Sequence, residues 1–177
     1  MLPAGVPHTV YLDTNIVSRY GSLKGIKPTF TAALAAIKNN PARFDFYTSK
    51  KVKDELDNRA SRPEGVVYTL FQRVPEKNYL EGYSSALGSA PLGAMAFGGG
   101  GGSRESPLYT FLKTIFDPDD AQHIFQAESN GVQYFLTLDE KTILNRAKAN
   151  DALLTQRGVR TKFVSPVDVE ALPCKDP

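Results

Sequence analysis

Apolar positions along this 177-residue chain switch repeatedly between a period of two and a period near 3.6. Residues 9–12 are a short run of β-branched and aromatic side chains, which predicts a strand. Ile16 onward reads as helical up to residue 20. Pro28 suits the first turn of a helix, and Phe30, Ala33, Leu34 and Ile37 then fall at i, i+3, i+4 and i+7. In residues 43–48, Phe44 and Phe46 alternate with polar neighbours, a second strand. Ser49 is placed to cap a helix carrying Val52 and Leu56, which Arg62-Pro63-Glu64-Gly65 ends. Val66, Val67, Leu70, Phe71 and Val74 predict a further helix. Leu108, Phe111, Leu112 and Ile115 predict another, and Asp117 followed by Pro118 opens the next, stopped by Asn130-Gly131. Residues 134–138 read as a third strand, 140–149 as a helix, Gly158 as the close of a last helix, and 159–164 as a fourth strand. Alternating strands and helices imply an α/β fold whose parallel sheet is covered on both faces.

One stretch breaks the pattern. Residues 82–107 hold Gly82, Gly88, Gly93 and the unbroken run Gly98 to Gly102. Five consecutive glycines are too costly to order in a helix or strand. The segment reads as a mobile loop, either a binding lid or a solvated insert. Nothing else divides the chain, so residues 1–170 read as one domain and 171–177 as a tail.

Composition narrows the picture only a little. An apolar fraction of 41% suffices for one buried core at this length, and a net charge of +2 does not select a partner. Cys174 is the single cysteine, which excludes an intramolecular disulfide and a cysteine-based zinc site. No stretch approaches the roughly 20 apolar residues that span a bilayer, and residues 1–8 lack a signal-peptide pattern. The expectation is a soluble, cytoplasmic protein that does not enter membranes.

The candidate chemistry lies in acids at element ends. Asp13 follows the first strand and Asp139 the third. Glu55 is about two turns into the helix after the second strand, and Asp120 sits in the first turn of the helix leading to the third. Ligands of parallel sheets bind at the carboxyl ends of the strands, where Asp13 and Asp139 are expected. Each acid also has a plain structural reading: Asp13 and Asp139 as helix caps, Asp119 and Asp120 as favourable partners of a helix dipole, Glu55 as part of a charged surface. Taken together, four carboxylates in one cleft would repel one another unless a cation held them. Oxygen donors without a Cys or His cluster favour Mg²⁺ or Mn²⁺ over Zn²⁺. Such a site suits phosphodiester hydrolysis.

At these residues the chain resembles the PIN-domain ribonucleases. Val10-Tyr11-Leu12-Asp13-Thr14-Asn15 is similar to that family's opening strand motif, and Val52 to Leu56, with Glu55, to its second. Asp119-Asp120-Ala121-Gln122-His123, with Ala127 behind it, resembles the third, and Phe135-Leu136-Thr137-Leu138-Asp139 with Lys141 the fourth. The resemblance covers residues 9 to about 165, and the extra length relative to the compact toxins of the family falls in the Gly-rich segment. It implies a three-layer α/β/α sandwich around a parallel sheet. It implies that Asp13, Glu55, Asp120 and Asp139 are catalytic, metal-binding acids, that Asn15 and Thr137 orient them, and that His123 is structural. It also implies Mg²⁺- or Mn²⁺-dependent cleavage of RNA and, as in VapC-type toxins, an antitoxin partner and a homodimer.

RNA requires cations opposite its phosphates. The candidates are Arg19, Lys24 and Lys27 after the first motif and Lys50, Lys51, Lys53, Arg59 and Arg62 around the second. Tyr79, Tyr83 and Tyr109 are candidates for stacking on bases. The expected function is a metal-dependent endoribonuclease. The competing expectations are a module of the same fold that binds RNA or protein without cutting, and a phosphatase-like α/β enzyme using the same acids.

Overall fold

The computed structural model describes residues 6–19, 25–58, 71–81 and 104–173. Five strands form one parallel sheet: β1 (His8–Leu12), β2 (Phe44–Thr48), β3 (Gln72–Arg73), β6 (Tyr134–Leu136) and β7 (Lys162–Val164), in the order β3-β2-β1-β6-β7. The remaining strands, β4 (Leu80–Glu81) and β5 (Arg104–Glu105), pair antiparallel in a separate ribbon. Among the described residues, eight α-helices accompany them: α1 (Thr14–Val17), α2 (Pro28–Asn39), α3 (Lys50–Asp57), α4 (Pro107–Leu112), α5 (Pro118–Ser129), α6 (Asn145–Ala149), α7 (Asp151–Gln156) and α8 (Pro166–Glu170). Among the described residues, no helix is long and apolar enough to cross a membrane.

β1 is the centre of the sheet. Successive side chains of a strand point to opposite faces, and Val10, Tyr11 and Leu12 are all completely buried, so both faces of this strand are covered. On the face of Tyr11, the register aligns Tyr47, Tyr11, Phe135 and Phe163 across β2, β1, β6 and β7. Tyr11 and Phe135 stack at 5.3 Å, and Phe135 meets Phe163 at 5.9 Å. A buried phenol without a partner costs about 1–3 kcal/mol. The Tyr11 hydroxyl avoids that cost by meeting Ser49 Oγ at 2.6 Å and His123 Nδ1 at 3.0 Å. This face is therefore the one beneath α3 and α5.

Local chemistry sets most element ends as the sequence predicts. Ser49 caps α3, and Pro28 and Pro118 occupy the first turns of α2 and α5. Gly131 and Gly158 follow α5 and α7 with φ of 66° and 80°, a backbone region open to glycine. Four expectations need correction. Of the helix expected from Val66 to Val74, residues 66–70 lie outside the described residues. The rest is β3, whose buried flanking residues Phe71 and Val74 imitate a helical i, i+3 spacing. Of the loop at 82–107, residues 82–103 lie outside the described residues, whereas 104–105 form β5 and 107 begins α4. The helix of 140–149 opens with a wide π turn at Glu140–Leu144 before α6. Finally, α8 was not anticipated, although Ser165 and Asp168 form a reciprocal capping box with Pro166 between them.

Candidate active site

The strand order creates the site. From β1 the chain moves outward to β2 and β3, then returns to the other side of β1 with β6. Connections leaving β1 and β6 diverge there, opening a crevice at their carboxyl ends. Asp13 and Thr137 immediately follow those strands, and the Asp13 N–H donates to Leu136 O at 3.1 Å. A cleft of about 370 Å³ at this point is lined by Asp13, Thr14, Asn15, Lys51, Glu55, Asp119, Asp120, His123 and Asp139. All four predicted acids thus share one cleft, although they come from four separate parts of the chain.

Asp13 is 5% exposed, and its carboxylate is held by three donors. The Thr14 N–H reaches Oδ1 at 2.6 Å, while Asn15 Nδ2 and Thr137 Oγ1 reach Oδ2 at 2.7 and 2.6 Å. Asn15 also donates to Thr137 Oγ1 at 2.9 Å and accepts the Leu138 N–H at 3.0 Å, tying the loop after β6 to the start of α1. Burial raises the Asp13 carboxyl above its ordinary range, against the opposing pull of His123, Thr137 and the Thr14 N–H. Asp139 caps the turn after β6 by accepting from the Thr142 N–H and hydroxyl at 2.8 and 2.6 Å. Burial opposes its ionisation, but these donors and Arg146 outweigh that and hold it low. For both acids, capping a helix and facing the cleft are compatible roles rather than alternatives.

Glu55 belongs to a different network. Thr14 Oγ1 donates to Oε2 at 2.6 Å, His123 Nε2 donates to Oε1 at 2.9 Å, and Lys51 Nζ lies 3.4 Å from Oε1. Burial resists its charge, yet His123, Thr14 and Lys51 prevail and bring its pKa down to about 2. His123 is only 2% exposed and joins this carboxylate to the Tyr11 hydroxyl, so it orients Glu55 from beneath. Sequence reasoning had left its contacts open. The signal available was its place one turn beyond Asp119 and Asp120, on a helix whose buried residues include Ala121, Ile124 and Ala127.

The adjacent aspartates separate cleanly. Asp119 is 78% exposed and pairs with Lys51 at 2.8 Å. Asp120 is half-buried, and its pKa rises to about 6 through burial and then through the charges of Asp13, Asp139 and Asp117. Asp120 is therefore the acid that confronts the strand-end aspartates. Asp117 holds the N-cap position of α5 but makes no capping hydrogen bond, because its carboxylate pairs with Arg146 at 3.0 Å.

The predicted substrate residues disperse. Lys51 lines the cleft, committed to Glu55 and Asp119, whose charges keep its ammonium firmly protonated against the effect of burial. Lys53 pairs with Asp57, and neither it nor the exposed Lys50 lines the cleft. Arg19 and Lys27 line a neighbouring groove. Lys24, Arg59, Arg62 and Tyr83 lie outside the described residues. Tyr109 is 3% exposed and packs on Tyr79 at 4.4 Å and on Phe125 at 6.1 Å, so it is a core residue rather than a stacking platform.

Among the described residues, no three His, Cys, Asp or Glu side chains converge into a finished metal shell. The donor chemistry nevertheless suits a hard cation, since burial and then the charges of the neighbouring carboxylates Asp13, Asp139 and Asp117 raise Asp120. Asp13, Asp120 and Asp139 would hold such an ion, with Glu55 across the cleft. No family model, no curated protein and no solved structure matches this chain.

Proposed function

We propose that the protein is a Mg²⁺- or Mn²⁺-dependent endoribonuclease of the PIN type, with the three-layer fold that the motifs imply. The observation that carries this reading is the meeting of Asp13, Glu55, Asp120 and Asp139 in one cleft, with Asp120 destabilised by Asp13 and Asp139. A divalent cation held by these acids would supply positive charge toward a phosphodiester and lower the pKa of water at the site. The chain's own groups do the rest. Thr14, Asn15 and Thr137 fix the rotation of the Asp13 carboxylate, a supporting role of the kind whose loss costs metal sites about 10–100-fold. His123 and Thr14 hold Glu55 ionised and pointed into the cleft. No cysteine, serine or histidine nucleophile is required. The antitoxin partner and the homodimer implied by the resemblance belong to the same proposal.

The test is cleavage of a mixed-sequence single-stranded RNA by the pure protein, with Mn²⁺ or Mg²⁺ and with EDTA, beside Asp13→Asn. Calorimetric titration of each protein with Mn²⁺ accompanies it. The expected result is cutting that EDTA stops, and a loss of at least about a hundredfold in Asp13→Asn. A folded Asp13→Asn protein that cuts at the parent rate would sink the assignment. RNA binding without metal-dependent turnover would favour a binding module instead.

A further inference from the structure

A second groove, of about 490 Å³, opens directly beside the acid cleft and shares Asn15 and Asp139 with it. One wall is the segment around Gly25 to Phe30, and the other is the segment from Leu138 to Thr142. We propose that this groove seats one nucleotide of a single RNA strand, with its phosphate on Arg19 and Lys141 and its base against Ile26, Phe30 and Leu138. The proposal rests on the ribonuclease reading and gives its cleft a direction, because a strand lying in the groove delivers its next phosphodiester to the acids.

Three observations support it. First, the groove has the division of labour that single-strand binding needs: an apolar floor of Ile26, Phe30 and Leu138, and a charged rim in which Arg19, Lys27 and Lys141 outnumber Asp139 and Glu140. Its volume falls within the range of about 300–1,000 Å³ typical of small-ligand pockets, the scale of a single nucleotide. Second, the Arg19 guanidinium lies against the Gly25 wall of the groove: Gly25 has φ of 74°, and a Cβ built on it would lie 3.1 Å from Arg19 Nη1. Third, Lys51, which lines the acid cleft, is held by Glu55 and Asp119. In the groove, Lys27 pairs with Glu140 across the two walls and lies 5.5 Å from the Phe30 ring centre. Both partners of that pair are substantially exposed, with side-chain exposures of 59% and 44%, so exchanging Glu140 for a phosphate costs little.

The experiment is fluorescence anisotropy with a labelled 12-mer single-stranded RNA in EDTA, where cleavage is absent. It compares the full chain, an Arg19→Ala/Lys141→Ala double variant and Glu140→Gln, with the 12-mer duplex as competitor. The double variant should bind at least about tenfold more weakly, with a salt dependence shallower by about one unit of log–log slope. Glu140→Gln removes a negative charge and releases Lys27, so it should bind about threefold more tightly, a gain that a merely structural role would not produce. Parent-like affinity and salt slope in both variants would overturn the groove, as would tighter binding of the duplex or no binding by the parent chain. Metal- and Asp13-dependent cleavage alongside parent-like binding by the variants removes the groove and keeps the ribonuclease. Groove-dependent binding without metal-dependent cleavage does the reverse.

Discussion

Glu55 and Asp120 face the same cleft at similar depth, yet they are treated in opposite ways. Glu55, on α3, is surrounded by a histidine, a hydroxyl and a lysine, and its pKa falls to about 2. Asp120, on α5, is surrounded by Asp13, Asp139 and Asp117, and its pKa rises to about 6. Burial works against the charge of both, so the neighbours decide the difference. On the first wall cationic and hydroxyl partners outweigh burial, while on the second the neighbouring acids add to it at Asp120. Under the proposed function the second wall is where a cation would bind, with Glu55 held facing it from the first.

The strongest way to break this contrast is His123→Ala. It removes the donor to Glu55 and a partner of Tyr11, and it leaves a cavity under the cleft. The expected loss is about 3–5 kcal/mol of unfolding free energy, read from urea denaturation. A loss of no more than about 0.5 kcal/mol, the size typical of a surface change, would show that His123 does not hold this wall together.

A pH series on the metal-free protein sharpens the contrast. Asp120 has a folded pKa of about 6 against an ordinary value of 3.8, so between those pH values the folded state binds more protons. Its stabilising contribution is complete below about 4 and is lost as pH rises through about 6. Asp13 is shifted the same way by burial. Because Asp120 is partly solvated, the loss is discounted to about 1–2 kcal/mol. Glu55 runs oppositely, since its contribution is present above 4.5 and disappears as pH falls through about 2. Thermal melts from pH 4 to 7 should therefore show a decline that Asp120→Asn reduces and that Mn²⁺ reverses. A decline unchanged in Asp120→Asn would remove Asp120 as its source.

The smallest effect expected is that of Lys51→Ala. Its partner Asp119 is largely exposed, so the change should cost less than about 1 kcal/mol in the same denaturation measurement. A loss near that of His123→Ala would mean that the ion pairs, rather than the buried histidine, neutralise the α3 wall.

Much of the site was legible because its chemistry is local. Asp13, Glu55 and Asp139 stand at fixed distances from strand ends and helix starts, and the period of the flanking apolar residues places those ends. The reading was weaker where a short element borrowed another's spacing. Phe71 and Val74 flank two strand residues at a helical interval, and nothing nearby in the chain distinguishes the two cases. Tyr109 illustrates the same limit, since a tyrosine beside a Gly-rich segment reads as accessible until Tyr79 and Phe125 are seen packed around it.

The sequence by itself determined the alternation of strands and helices, the caps at Ser49 and Asp139, and the set of acids worth considering, because these follow from hydrogen bonding and side-chain period within a few residues. Only the tertiary structure decided that β6 returns to lie beside β1 and so brings Asp139 to Asp13. It also decided that Asp120 rather than Asp119 confronts them, that Lys51 serves the protein's own acids, and that His123 lies under Glu55. Those outcomes depend on which elements pack together, and burial and charge act on a group through neighbours that the order of residues does not place.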